Sequence, residues 1–311
     1  MDSASPLLII LGPTASGKTR LAVSLADKLG AEIISADSRQ VFKGMDIGTG
    51  KDLKEYHING KHIPHHLIDI KEAGEKYNVN EFKEDFYTVF DKLTDEGVLP
   101  ILCGGTGMYI HSLLQNQEYT SIPNNLKIRE ALSVCSIEQL RDKLNTYPSE
   151  FTKHADLSSH KRLIRAIEVA DFLMHNKLET VERKEISATI IGLDPERSLR
   201  RANVMARLES RIQQGLIEEV AGLMTRGLSN EMLTYYGLEY KFVGAYLNGE
   251  YGLDELKERL GIAICQFAKR QMTFFRKMEK DGVSIQWFNP DTEYNELFVN
   301  VLATLKNANL S

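Results

Sequence analysis

The chain has 311 residues, 42% of them hydrophobic, enough apolar material for one large domain carrying an insertion or for two modest ones. A formal charge of −5 excludes nucleic-acid binding by a blanket positive field and leaves only local basic surfaces for that purpose. No apolar run approaches the roughly 18 residues of a membrane span, and Cys103, Cys135 and Cys265 show no paired spacing, so a soluble chain with no membrane contact, disulfide framework or zinc site is expected.

In chain order, the opening MDSASPLLII lacks the basic start of a signal peptide, which predicts a cytoplasmic protein whose thiols are free and buried. LLIIL at 7–11 is a continuous apolar run ending at Gly12-Pro13, the pattern of a buried parallel strand. From Lys18 to Leu29, apolar residues recur at helical spacing and stop at Gly30. AEIIS at 31–35 predicts a second strand, Val79 to Glu96 a helix, VLPILC at 98–103 a third strand, and TIIGL at 189–193 and SIQWF at 284–288 two more. Trp287 is expected in the core. Strands alternating with helices indicate an α/β doubly wound, mainly parallel sheet of P-loop type, with its active crevice at the carboxyl ends of the strands. Residues 121–185 show helical periodicity and no strand signal, which predicts a helical insertion within a core made of 1–120 and 186–311. Residues 205–280 again read as mostly helical, broken near Gly227 and at Tyr236-Gly237, and the terminal LKNANLS as a frayed end.

The strongest chemical signal is GPTASGKT, comprising Gly12, Pro13, Thr14, Ala15, Ser16, Gly17, Lys18 and Thr19, which satisfies G-x-x-x-x-G-K-[ST] between a strand and a helix. Glycines allow backbone N–H groups to turn around an anion, the helix N-terminus adds its dipole, Lys18 adds a full charge, and Thr19 can hold Mg²⁺. The motif establishes a phosphate site without saying which molecule owns the phosphates. DSRQ at 37–40 follows the second strand at the same sheet edge; Asp37 there is either a base or a turn and cap residue. GGTGMY, Gly104 to Tyr109, follows the third strand. Basic clusters at 161–165, 197–211 and 269–280 are either an RNA footprint or ordinary solvated helix faces. His65-His66 reads as a capping or packing pair in preference to a metal site, and Tyr235-Tyr236 and Phe274-Phe275 as helix packing in preference to base stacking.

The order GPTASGKT, DSRQVF, GMDIGTGK, PHHLIDI, PILCGGTGMY, KRLIRAIEV, GLIEEV and QFAKRQMTFFR, spanning residues 7 to about 288, resembles the tRNA dimethylallyltransferase family. The resemblance implies that the P-loop cradles the diphosphate of dimethylallyl diphosphate, with Mg²⁺ on Thr19, and that the acceptor is an adenosine of a tRNA anticodon stem-loop. It implies Asp37 as base, Thr106 near the acceptor adenosine and Arg207 beside the leaving diphosphate. It places tRNA contacts on Asp37, Ser38, Arg39 and Gln40, on Lys161, Arg162, Leu163, Ile164 and Arg165 of the insertion, and on Gln266, Lys269 and Arg270. A monomer is expected.

The chain departs from the family pattern where Cys265 replaces an arginine and Ile264 a threonine, and where Asn203 and Arg211 stand for an arginine and a methionine. TFFR replaces the commoner TWFR, and Leu157 to His160 replace a segment with proline and an acidic residue. These changes touch the RNA-facing parts more than the diphosphate site. Two alternatives share the P-loop: an adenylate isopentenyltransferase, and a small-molecule kinase, for which only Asp69 could serve as the acidic metal ligand at a strand end.

Overall fold

A computed structural model describes residues 4–115, 118–153, 155–179, 181–308 and 310. Strand β1 (Ser5–Leu11) leads through the P-loop into α1 (Lys18–Leu29) and then β2 (Glu32–Ser35). A two-residue hairpin, β3 (His57–Ile58) with β4 (Lys61–His62), precedes β5 (His65–His66), α2 (Val79–Asp95), β6 (Pro100–Gly104) and α3 (Gly107–Leu114). Helices α4 (Leu126–Ser133), α5 (Ile137–Leu144), α6 (Ser149–Thr152) and α7 (His160–His175) follow. The chain then returns as β7 (Ile186–Leu193), α8 (Arg197–Gln213), α9 (Leu216–Thr225), α10 (Asn230–Tyr236), α11 (Leu238–Leu247), α12 (Leu253–Lys280), β8 (Gln286–Phe288) and α13 (Tyr294–Asn307).

Two compact units result, one of residues 1–115 with 184–311 and one of 116–183. The first contains a six-stranded sheet in the order β5-β2-β6-β1-β7-β8, and every pairing in it is parallel. Strand residues alternate between faces. Leu7, Ile9 and Leu11 join one apolar cluster with residues of α2, α3 and α8 to α12, while Leu8 and Ile10 join a second cluster with α1 and α13. Burial on both faces explains why β1 reads as an unbroken apolar run.

Local signals set the element ends. Gly17 (φ 79°) and Gly30 (φ 64°) bracket α1 in the left-handed conformation that glycine adopts without Cβ strain. Asn78 starts α2 with a capping box closed by Glu81, and Phe82, Phe86 and Phe90 then bury one helical stripe. Strand β5 has only two residues, both polar histidines, and lies at the sheet edge; this is why no hydrophobic run announces it. His66 accordingly meets Glu32 of the adjacent strand at 2.7 Å.

Three expectations are corrected. Cys103 is buried, but Cys135 and Cys265 are half-exposed, because each packs only against the margin of an apolar cluster. Trp287 is half-buried, since its Nε1 donates to Glu279 at 2.8 Å at the surface. The C-terminal helix continues to Asn307 with Leu305 buried, so the end does not fray where LKNANLS begins; Asn309 and Ser311 lie outside the described residues, as do Met1 to Ser3 of the opening segment.

The second unit has helices and no strand among its described residues. Leu132, Leu140, Leu144, Leu163, Ile164 and Ile167 form its core. Glu168 is buried there and accepts from Asn125 N–H at 2.7 Å and from Arg129 Nε at 2.8 Å and Nη2 at 2.9 Å. A carboxylate withdrawn from water persists because every bond to it is charge-assisted or from the backbone. Glu168→Ala should destabilise this unit by about 2–3 kcal/mol. Limited proteolysis of the full chain is expected to cut within 116–183 first, leaving the sheet unit protected.

Candidate active site

Parallel strands end together, so the loops after β1, β2 and β6 converge at one sheet edge. The site begins with backbone that only glycine permits. A Cβ on Gly104 would lie 2.3 Å from the Ala36 carbonyl oxygen, and one on Gly12 would lie 2.8 Å from Ser16 Oγ and 3.0 Å from the Leu193 carbonyl oxygen. The first approach draws the loop after β6 against the loop after β2, and the second seats the P-loop against the end of β7.

In the P-loop, Lys18 Nζ donates to the Pro13 carbonyl at 3.2 Å, and Ala15 joins Gly17 at positive φ. Burial lowers the Lys18 pKa, Arg207 adds to that, and Cys103 and Asp37 oppose it. Ser16 Oγ is buried and has no hydrogen-bond partner among the described residues. Beside the loop, Asp37 Oδ1 accepts from Arg39 N–H at 2.8 Å, so the turn reading of this aspartate holds for one of its oxygens. Thr106 ties the next loop to it: its N–H donates to the Ala36 carbonyl at 3.2 Å, and its Oγ1 accepts from Ser38 N–H at 3.1 Å. Gln40 accepts from Ser35 Oγ at 3.0 Å and donates to the Gly50 carbonyl at 3.0 Å. Arg39 lies over the Tyr235 ring at 4.9 Å.

Opposite the P-loop, α8 supplies two guanidinium groups one helical turn apart. Arg207 pairs with Asp52 and reaches the Gly50 carbonyl at 3.5 Å; Arg211 pairs with Glu239 at 3.2 Å. Burial lowers the Arg211 pKa and raises that of Glu239. Gly50 (φ 63°) is packed so tightly on both that a Cβ would meet Arg211 Nη2 at 1.5 Å and Arg207 Nη2 at 2.8 Å.

A cavity of about 310 Å³ gathers these groups. Of the residues singled out in the sequence, Thr14, Lys18, Thr19, Asp37, Ser38, Arg39, Gln40, Thr106, Arg207 and Arg270 line it. Gly12, Pro13, Ala15, Ser16 and Gly17 shape the loop without lining the cavity. Gln266 and Lys269 are exposed on α12 outside the lining. In the helical unit Lys161 and Arg162 are exposed and Arg162 pairs with Asp156, whereas Leu163 and Ile164 are core residues. Arg165 there donates to the Tyr119 carbonyl at 2.9 Å and the Ile122 carbonyl at 2.7 Å. Of the departures, Ile264 is buried against the cavity, Cys265 is half-exposed on α12, and Asn203 is exposed on α8.

Sequence reasoning missed Gln271. It lies in QFAKRQ, is 9% exposed, accepts from Thr14 N–H at 2.9 Å and donates to the Gly105 carbonyl at 2.9 Å. One amide thus joins the P-loop to the loop after β6. The signal for it was present, a polar residue at a core-facing position of α12 between Ala268, Met272 and Phe275, all buried.

Thr19 offers a hydroxyl to the cavity, and no group of three or more His, Cys, Asp or Glu converges into a cation cage among the described residues. That donor set fits a hard divalent cation held by one hydroxyl, with substrate oxygens and water completing its shell.

The sequence model of IPP transferases matches residues 40–278, and that of isopentenyl transferases residues 5–68. The chain belongs to the IPP transferase family. Among relatives, tRNA dimethylallyltransferase 2 of Phocaeicola vulgatus is 47% identical over 301 residues, covering 96% of this chain and 98% of its own. tRNA dimethylallyltransferase 1 of Porphyromonas gingivalis is 49% identical over 283 residues, covering 91% and 93%. The crystal structure of the full-length tRNA isopentenylpyrophosphate transferase from Bacillus halodurans superposes with a TM-score of 0.72 at 30% identity, covering 97% of this chain and 96% of that one. A eukaryotic dimethylallyltransferase acting on tRNA shares the fold, with a TM-score of 0.76 at 19% identity over 98% of this chain and 79% of that one. The IPP transferase fold is thus the doubly wound sheet described above.

Two outcomes follow from the site. Gln271→Ala, which strips two loops of a shared buried partner, should weaken binding of inorganic diphosphate about tenfold by calorimetry. Burial pushes the Cys103 thiol up to about 12, so it stays protonated throughout the neutral range. Alkylation by iodoacetamide at pH 8 should label Cys135 and Cys265 and spare Cys103, as read by peptide mass.

Proposed function

We propose that this chain transfers the dimethylallyl group of dimethylallyl diphosphate to N6 of the adenosine 3′-adjacent to the anticodon of a tRNA, releasing diphosphate. The observation that carries this reading is one cavity shared by an anion-binding loop, with Lys18 and Thr19, and by Asp37 and Thr106. The likeness over nearly the whole chain to relatives named tRNA dimethylallyltransferase supports it.

The chemistry has two ends. An adenine amine is a poor nucleophile because its lone pair is delocalised into the ring, so removal of its proton as the N–C bond forms lowers the barrier. Asp37 is the base in this scheme: Arg39 N–H fixes Oδ1 and leaves Oδ2 to take the proton. Thr106, already accepting from Ser38, can donate its hydroxyl proton to the acceptor nucleoside. At the other end the allylic C–O bond breaks and its electron pair leaves with the diphosphate. Lys18, Arg207 and the P-loop amides meet that charge with donors already in place. A Mg²⁺ bound at Thr19 would neutralise part of the diphosphate charge.

On the RNA side we assign Ser38, Arg39, Gln40 and Arg270 at the cavity, Gln266 and Lys269 on the exposed face of α12, and Lys161 and Arg162 on the helical unit. Local cations of this kind position an RNA that a net charge of −5 would not attract as a whole. The adenosine must leave its stack, at a cost of a few kcal/mol that these contacts offset. No helix is long and apolar enough to cross a membrane among the described residues, and we place the reaction in the cytoplasm.

Incubation with dimethylallyl diphosphate, Mg²⁺ and unmodified tRNA, followed by nucleoside mass analysis, tests the reading. A dimethylallyl gain on adenosine is expected; prenylation of free AMP with inert tRNA would overturn it. Asp37→Asn should lower turnover by about 10²–10⁴ with diphosphate binding retained, whereas Lys18→Ala should weaken donor binding as well as rate.

A further inference from the structure

Glu219 of α9 lies outside the cavity and is half-buried, yet its carboxylate accepts four hydrogen bonds. Oε2 accepts from the N–H groups of Asp46 and Ile47, both at 2.7 Å. Oε1 accepts from Gly48 N–H at 2.9 Å and from the Tyr240 hydroxyl at 2.7 Å. Three successive backbone N–H groups turned toward one point make an anion-binding nest, and here the chain's own side chain fills it. The fit is close: a Cβ on Gly48 would lie 2.5 Å from the Tyr240 ring.

The segment held this way runs on to Lys51, which is 1% exposed and donates to the Phe42 carbonyl at 2.8 Å, to Asp46 at 2.6 Å and to Asp69. A carboxylate therefore grips one end of the 46–51 loop and an ammonium the other. Between them lies Gly50, whose carbonyl accepts from Gln40 Nε2 and from Arg207 Nη2. Gln40 belongs to the acceptor side and Arg207 to the leaving-group side of the reaction proposed above.

We propose that Glu219 is a positioning residue for prenyl transfer. By fixing the 46–51 loop it makes the Gly50 carbonyl a shared acceptor that sets Gln40 and Arg207 relative to each other, so that RNA and donor are aligned in one geometry. This rests on the transferase reading, and product formation by the unaltered enzyme tests that reading separately. Glu219→Gln keeps the side-chain size but replaces one acceptor oxygen with an NH₂ group facing backbone N–H.

The experiment measures kcat and KM for tRNA, affinity for inorganic diphosphate, and thermal unfolding of the full chain. For Glu219→Gln, kcat/KM should fall about tenfold to a hundredfold, the factor that a lost charge-assisted hydrogen bond carries. Diphosphate affinity should fall less than kcat/KM, because Lys18 and the P-loop bind the diphosphate through groups that Glu219 does not hold, and only Arg207 is reached through the 46–51 loop. In a double-mutant cycle, the losses from Glu219→Gln and Gln40→Ala should be less than additive, since both act in part through the Gly50 carbonyl. If Glu219→Gln does not fold, Tyr240→Phe removes one of the four bonds and leaves the backbone contacts, and the same cycle applies. Unchanged kinetics, full additivity with Gln40→Ala, or a parallel collapse of diphosphate affinity would each overturn the assignment.

Discussion

The close approach of Gly104 to the Ala36 carbonyl is the constraint on which the loops around Asp37 depend. Neighbouring strands stand about 4.8 Å apart, and loops leaving them normally diverge to make room for side chains. With no Cβ at 104, the loop after β6 bends over the end of β2, and Thr106 can bond both the Ala36 carbonyl and Ser38 N–H. Asp37 is thereby held between two anchored neighbours. Gly12 plays the corresponding part toward β7, where the P-loop leaves the sheet. The geometry of the cavity is thus a property of backbone packing before any charged side chain is considered.

Electrostatics then decides what such a cavity can hold. Lys18, Arg207 and Arg211 face Asp37 and Glu239 around one space, and Asp52, outside its lining, pairs with Arg207. Burial works against the charged forms of Lys18, Arg211 and Glu239 alike, which is the signature of a site poorly screened by water. Each fixed charge acts more strongly there than at the surface. The two guanidinium groups do not collapse onto Asp37, because Asp52 and Glu239 hold them.

Two helices of the sheet unit have a second task beyond covering its face. Through Gln271, α12 connects the loops after β1 and β6; through Glu219, α9 holds the loop that follows β2. Both connections use a single polar side chain to satisfy backbone groups of distant loops. The helical unit solves the same problem with Glu168 and Arg165, whose partners are carbonyls, amides and one arginine of that unit.

What the sequence determined was everything governed by near neighbours. The apolar run at 7–11, the P-loop with its αL glycine, the capped helix from Val79 and the helical period of the insertion are local patterns, and each appears in the structure within a few residues of its expected place. The two-residue strand at His65–His66 has no periodicity to read, and Leu163 and Ile164 were grouped with basic neighbours although their helical phase points them inward. Tertiary structure alone decided which distant groups meet: Gln271 with Thr14 across 257 positions, Glu219 with Asp46 across 173, and Arg207 with Asp52 across 155. A side chain's type and spacing limit its local conformation, but its hydrogen-bond partner is chosen by how whole elements pack, and that choice is written in no single stretch of residues.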